Sequence, residues 1–286
     1  TGHVVKLGSI LDSPDSFSET FSYLSGSSTP EGAGLDVKAN NRNYFAQGIQ
    51  HRGIFKFGRP FETTSNRIIY GIRLHRGGVD RFQWRDRYSM DEGQMKLVTP
   101  GVHGTAGNKE EFATAIASYL RGTFHFRAFT FTPGIRHESI NFESFDYGSS
   151  DLERIGNAEY SSNYVSVILP GLGLNYNIST LFDVFTGIHK GFIPPGSNPE
   201  TIPELSINME FGFRFSQRYS SAQLVLFSNN YSNLLGADIN ASGGSGSGEL
   251  FNGGSAIAKG LEFELSIDPF MGGPFDHLSM PIRVAY

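Results

Sequence analysis

The sequence predicts an all-β protein, an antiparallel transmembrane barrel, and three observations point there. The first is alternation. "ELSINMEFGFRF" (204–215) places Leu205, Ile207, Met209, Phe211, Phe213 and Phe215 on one face and Ser206, Asn208, Glu210, Gly212 and Arg214 on the other, the period of two of a β-strand. The second is strand length. About ten segments alternate, many over ten or more residues, where strands of soluble proteins usually run ~5–6 and bilayer-crossing strands need ~9–11. The third is the rhythm of the connections, which alternate long and short along the chain, as in outer-membrane barrels with short periplasmic turns and long outer loops.

Each strand rests on its own pattern. "RIIYGIRLH" (67–75) sets Ile68, Tyr70, Ile72 and Leu74 against Arg67, Ile69, Gly71, Arg73 and His75. "FTFTPGIRHE" (129–138) sets Phe129, Phe131 and Ile135 against Thr130, Thr132, Arg136 and Glu138, and "GLEFELSID" (260–268) sets Leu261, Phe263, Leu265 and Ile267 against Glu262, Glu264, Ser266 and Asp268. Less regular strands are expected over 43–58, 112–125, 163–177, 181–193, 221–236 and 278–286. Long irregular connections are expected at 8–42, 77–111, 144–162, 194–204 and 237–254, and short links near 59–66, 124–127, 177–180, 216–220 and 269–277. Alternation alone leaves a soluble sandwich open, with the phenylalanines as core. Segregation of loop lengths favours the barrel, with the phenylalanines on lipid and Arg136, Glu138, Glu210, Arg214, Glu262, Glu264 and Asp268 on a wet inner wall, where opposite charges on neighbouring strands can pair.

Composition agrees and narrows the function. The chain has 286 residues, 35 glycines, 25 phenylalanines and 18% charged residues, fewer charges than the roughly 25% usual for soluble proteins. No apolar run reaches the ~18 residues of a membrane helix, which says nothing against strands. Without cysteine there is no disulfide framework or thiolate metal site. A net charge of −5 gives no reason to expect nucleic acid. The opening "TGHVVKLGSI" has no secretory-signal pattern. No GxSxG elbow, phosphate-binding loop or HExxH motif occurs, so no catalytic residue and no metal ligand set is assigned. His75, His103, His125, His137 and His189 read as loop or rim residues. Some membrane barrels are hydrolases with Ser and His on the outer wall, but no such pairing is readable here.

"DINASGGSGSGE" (238–249) matches calcium-loop positions at Asp238, Asn240, Ser242, Gly243 and Glu249, but its flanks read as strands rather than helices, so a flexible loop is expected. Asn177, Asn230 and Asn240 open glycosylation sequons by pattern; in a bacterial outer-membrane protein they would be chance.

Five stretches, in order, resemble TonB-dependent outer-membrane receptors: "TPGIRHESINF" (132–142), "LPGLGLNYNIS" (169–179), "FTGIHKGFIPPGSN" (185–198), "PELSINMEFGFRF" (203–215) and "FNGGSAIAKGLEFEL" (251–265). "NNRNYFAQGIQ" (40–50), residues 71–98 and "KGFIPPG" look most like the ferric-dicitrate branch. The resemblance implies a 22-stranded barrel closed by an internal plug. Residues 1–286 would then be a partial receptor barrel, an incomplete, curved and unclosed arc of about ten strands, without plug, early strands or last strands. It implies active uptake of a ferric chelate, ferric citrate or a similar siderophore, energised by TonB–ExbB–ExbD through the missing plug, with outer-membrane lipid around the wall. The iron chelate is cargo, and no cofactor is expected. A passive porin is the alternative reading. Ligand capture would fall to Arg76, Arg81, Trp84, Arg85, Arg87 and Gln94, since arginine forks suit carboxylates and aromatics can cover a ligand. Asp80, Asp86, Asp91 and Glu92 in the same stretch can pair off much of that charge. Lys96, Tyr88, Asn198 and lumen-facing Arg121 are further polar candidates, and His103 would suit a haem receptor.

Overall fold

Long alternating strands can satisfy their backbone groups only by pairing side by side, and the chain does so almost without interruption. The computed structural model describes residues 20–58, 66–237, 250–270 and 278–286. Its strands are β1 (Leu35–Ala39), β2 (Arg42–Phe57), β3 (Asn66–Asp91), β4 (Gln94–Thr99), β5 (Gly107–Phe126), β6 (Phe129–Asp146), β7 (Glu159–Asn177), β8 (Phe182–Ile193), β9 (Glu204–Gln217), β10 (Ser220–Ser232), β11 (Leu235–Ala237), β12 (Leu250–Asn252), β13 (Ser255–Ile267) and β14 (Ile282–Ala285). They form one sheet in the order β1-β3-β5-β6-β7-β8-β9-β10-β13-β14, with β2 and β4 also on β3 and a small β11–β12 ribbon apart. Every pairing is antiparallel between neighbours in an up-and-down meander. β1 and β2 pair with the upper and lower parts of β3 in one unbroken register, Ala39 opposite Trp84 and Arg42 opposite Arg81, and so act as one edge strand. The arc of about ten strands does not close among the described residues.

The question of which face is inside is answered by the absence of a core. Phe211, Phe213, Ile72, Leu74, Ile116, Leu120, Leu172 and Leu261 are all exposed, Phe213 by 47% and Ile72 by 53%. The register puts them on one face: Ile72 is level with Ser118, Leu74 with Ile116, Phe213 with Leu224, and Leu226 with Leu261. Among the described residues no second layer covers them. Among the described residues a small cluster of buried apolar side chains, Tyr23, Leu35 and Met90, lies at the far end of β3. A soluble sandwich buries such a face against a second sheet, and water does not tolerate an apolar band of this extent. The phenylalanines of β9 therefore face lipid.

The opposite face is polar and closely built. Glycines there let aromatic rings of the next strand lie flat on the backbone. A Cβ at Gly71 would stand 2.5 Å from the Tyr119 ring, and one at Gly212 would stand 2.4 Å from Phe185.

The ends of the strands differ as expected. Links at 127–128 and 218–219 are two residues long, and 178–181 is short, held by Ser179 Oγ accepting from the amides of Leu181 and Phe182. Longer connections at 147–158 and 194–203 lie at the other end. One expectation fails. The stretch 77–111 is not an irregular loop: β3 continues through it to Asp91, turns at Glu92 and Gly93 (φ 48° and 76°) and returns as β4. Above the membrane both faces of a strand meet water, so the apolar period that marks a strand disappears while the backbone ladder continues. His75, His125, His137 and His189 also sit on strands, β3, β5, β6 and β8, rather than in loops; of these five histidines His103 lies in a loop. Residues 238–249 and 59–65 lie outside the described residues.

Gly212→Val would drive a side chain into Phe185 and the Leu224 carbonyl. The expected cost is ~1–3 kcal/mol, read as a lowered unfolding temperature of the barrel in detergent; an unchanged temperature would show that the ring simply moves aside.

Candidate ligand-binding site

β3 runs past the apolar band to the loop end, and its alternation sorts the predicted binding residues onto two sides. Arg81, Arg85 and Arg87 share the inner face with Arg73. Arg76 and Trp84 share the outer face with Ile72 and Leu74. Arg76 lies over the Phe112 ring at 5.4 Å. Trp84 is engaged by its neighbours in the wall. Its Nε1 donates to Asp86 at 3.2 Å and its ring stacks on His103 at 3.7 Å, while Asp86 also accepts from the Gly101 amide at 2.7 Å. The pair pins residues 100–106 against β3. Gln94 stands exposed at the β3–β4 hairpin, where Lys96 pairs with Asp91 at 2.6 Å.

The inner-face arginines are not equally available. Arg87 makes a forked contact with Asp36, 3.0 and 3.2 Å, and that hydrogen bond, then the carboxylate's charge, raises its pKa further. Arg81 pairs with Glu111 at 2.8 Å, which Lys109 shares at 3.1 Å. The Arg81 Nε is buried without a partner. Arg85 is exposed and, among the described residues, has no carboxylate partner. It lies level with Lys38.

Cross-strand register adds residues that the linear sequence did not single out. Arg42, Arg81 and Lys109 form one row across β2, β3 and β5, and Lys38 beside Arg85 stands above it. Asn40 bridges the two levels, accepting from Arg42 Nε at 2.9 Å and from the Gln83 amide. Against these cations stand Asp36, Glu111, Asp146 and, level with Asp146 on the same face, Glu159, so cations still outnumber carboxylates on the inner rim. The same wall carries Arg52, Lys56, Arg67, Arg73 and Arg121 farther down, with Arg136 tied to Glu138. Only pairing reveals this cluster, since Arg42 and Lys109 are 67 residues apart in sequence (109 minus 42).

The inner wall of β8–β13 has the opposite character. Asp183, Glu210, Glu262 and Glu264 face inward around Arg214, which pairs with Asp183 at 3.3 Å and Gln223 at 3.1 Å. A hollow of about 390 Å³ opens here, lined by Thr130, Asn175, Phe185, Glu210, Arg214 and Glu262 among others. Arg214–Asp183 is a cross-strand pair of the kind expected; Arg136–Glu138 instead runs along one strand.

Outside the rim, Arg154 (φ 56°) locks loop 147–158 to the wall. It donates to Asn108 Oδ1 at 2.8 Å and Asp80 at 2.6 Å, lies 3.6 Å from Glu110, and rests between the rings of Phe82 and Tyr147. Asn108, buried, passes its amide hydrogens to the carbonyls of Gly148 and Asp151. Asn198 helps fix its own loop: its carbonyl accepts from Asn163 on β7 and from Thr201 in loop 194–203. No group of three His, Cys, Asp or Glu able to hold a metal occurs among the described residues. His137 Nε2 and Ser166 Oγ do approach to 3.0 Å on the outer face. No third group is hydrogen-bonded to the other ring nitrogen among the described residues, and a paired strand leaves few free amides for an oxyanion.

Two outcomes follow for the Arg154 lock. Arg154→Ala leaves Asn108 and Asp80 short of a donor and should cost ~1–3 kcal/mol locally, read as faster proteolysis within 147–158. The Tyr147 phenol donates to Glu110 at 3.0 Å, and that bond, then burial and the carboxylate's charge, raises its pKa. A raised folded pKa means the bond is intact below the ordinary value of about 10 and lost as pH climbs through the higher one. Tyr147→Phe should therefore abolish the late phase of phenolate absorbance.

A family model for "TonB dependent receptor-like, beta-barrel" matches residues 7–286. Among solved structures the chain is similar to the ferric citrate transporter FecA in unliganded form, with a TM-score of 0.65 and 19% identity over 91% of this chain and 37% of that one. It is similar also to the ferric-catecholate import receptor Fiu of E. coli K12 (TM-score 0.61, 13% identity, 80% and 36%) and to the ferric yersiniabactin uptake receptor FyuA of Yersinia pestis (0.55, 16%, 86% and 35%). The chain thus spans little more than a third of these receptors. No curated protein matches the sequence significantly. Fold and family model agree: the chain belongs to the TonB-dependent receptor β-barrel family, whose strands cross the outer membrane of Gram-negative bacteria.

Proposed function

We propose that this chain forms part of the wall and mouth of a receptor for an anionic ferric chelate, ferric citrate or a similar carboxylate siderophore. TonB, with ExbB and ExbD, would energise uptake through a plug held inside the completed barrel. The observation that carries this reading is the inner rim, where Arg42, Arg81, Arg85, Lys38 and Lys109 gather on neighbouring strands of a chain whose net charge is −5. Arginines on a rigid sheet suit carboxylate ligands because each planar fork can hold two oxygens and is already positioned. Similarity to receptors named for ferric citrate, ferric catecholate and ferric yersiniabactin supports an iron chelate as the cargo class. The work is binding and passage, with no covalent step.

Because Arg85 has no carboxylate partner among the described residues, it is free to take a ligand oxygen. Arg85→Ala in the outer-membrane receptor should weaken ferric citrate binding about tenfold, ~1.4 kcal/mol, whereas Arg87→Ala, whose fork Asp36 already occupies, should change it little. Equal binding by wild type and Arg85→Ala would remove the inner rim from the site.

A further inference from the structure

We infer a second anion-binding site on the inner wall, well below the rim, where Arg52, Lys56, Arg67, Arg73 and Arg121 gather on β2, β3 and β5. It suits a small polycarboxylate, citrate or its ferric complex. For the identity of its ligand the site rests on the cargo reading; its charge stands without it. Cross-strand register builds the patch. Lys56 is directly opposite Arg67, Arg52 is opposite Gly71 and so diagonal to Arg73, and Arg121 is opposite Ile69 and diagonal to Arg67. Opposite positions on paired strands lie ~5 Å apart and diagonal ones ~7–8 Å. The five long cationic side chains therefore share a strip of wall that one chelate can span.

All five residues are exposed, and none pairs with a carboxylate among the described residues. Arg67 Nε donates to Thr123 Oγ1 at 3.4 Å. The carboxylate in the row of Arg73 is Glu138, opposite Ala117, and Arg136 already holds it. The rim lies too far above to share a ligand with this patch. Arg81 and Arg73 are eight residues apart on one strand (81 minus 73), roughly 26 Å at ~3.3 Å per residue. In between, the rows of Gly77 and His75 present only Ala46, Gly48, Ala113 and Ala115 besides on the inner face of β2, β3 and β5. A stretch of small side chains without lysine, arginine or carboxylate thus separates the two basic groups.

Like charges on neighbouring strands repel one another, and a surface lined by one sign of charge raises the local concentration of the opposite ion. An anion seated among these side chains relieves the repulsion, and guanidinium forks take carboxylate oxygens in pairs. The donors fall into two groups along the wall, Arg52 with Arg73 and Arg67 with Lys56 and Arg121. A di- or tricarboxylate can engage both groups at once, whereas a monocarboxylate can engage one. The wall of β8–β13, with Glu210, Glu262 and Glu264 on its inner face, offers no such place.

The test uses the intact receptor purified in detergent, with ferric citrate, iron-free citrate and acetate as probes in equilibrium dialysis. Wild type should hold ferric citrate at two sites, the lower one at least tenfold weaker than the rim. Arg52→Gln with Arg73→Gln and Arg121→Gln should remove the weaker site and leave the tighter one. Arg85→Ala should do the reverse, and Lys190→Gln, on the outward face, should change neither. Iron-free citrate should bind the lower site at least tenfold more tightly than acetate. If the triple variant fails to assemble, Arg73→Gln alone should weaken the lower site severalfold. Failure of the cargo reading has its own signature: no binding that depends on Arg85, with citrate still held by the lower arginines. Citrate binding that the triple variant keeps in full would overturn the site. A lowered unfolding temperature of that variant with citrate binding intact would assign the arginines to holding a plug instead. Acetate binding as tightly as citrate would reduce the patch to general charge and overturn it also.

Discussion

Within hydrocarbon no water is available to an unpaired amide or carbonyl, and each one left open costs several kcal/mol. That constraint shapes the rest of this molecule. It explains why long neighbouring strands such as β5, β6 and β7 keep continuous registers over most of their lengths, why links at the short end shrink to two residues, and why a single sheet can be stable without a second layer. The same constraint makes an edge intolerable inside the bilayer. The outer sides of β2 and β14 have no partner among the described residues, and a receptor wall at work needs further strands on both.

With the backbone fully committed to the ladder, side chains are divided by parity alone. One face answers to lipid and is uniform: Phe211, Phe213, Ile72 and Leu261 are interchangeable in character. The other is free to vary, and it varies by region. The wall of β2–β6 carries Arg42, Arg52, Arg67, Arg73, Arg81 and Arg121, and that of β8–β13 carries Glu210, Glu262 and Glu264. Like charges side by side cost energy unless something opposite lies near. The segregation therefore gives an anion a more favourable potential beside β2–β6 than beside β8–β13.

How far this was legible from sequence depends on which solvent each strand meets. β9 and the lower half of β3 were readable because one face is lipid and the other wet, and the apolar period survives. The fold class and the outward direction of the phenylalanines followed from that. Residues 77–99 were misread as loop because both of their faces are wet. Charges then alternate with aromatics instead of apolar with polar residues, and the period vanishes. The site was legible only as residue type. Arg81, Arg85 and Arg87 do share the inner face, but Arg76 and Trp84 point the other way, and Arg42, Lys38 and Lys109 enter only through cross-strand register.

The part of the chain hardest to read is thus the part where binding can reside. Lipid-facing strands have little freedom: their outward positions must be apolar, and their inward ones must fit glycine against aromatic, as at Gly71 and Tyr119. Above the band that pressure ends, while the ladder still holds each side chain to a fixed row. Arg87 and Arg81 spend their charge on Asp36 and Glu111. Those pairs fix the geometry of the rim and leave Arg85, between them on the same face, without a carboxylate partner among the described residues. Rigid support from paired neighbours and one unsatisfied fork is the arrangement in which a carboxylate ligand gains most, because the side chains around it are already ordered before it arrives.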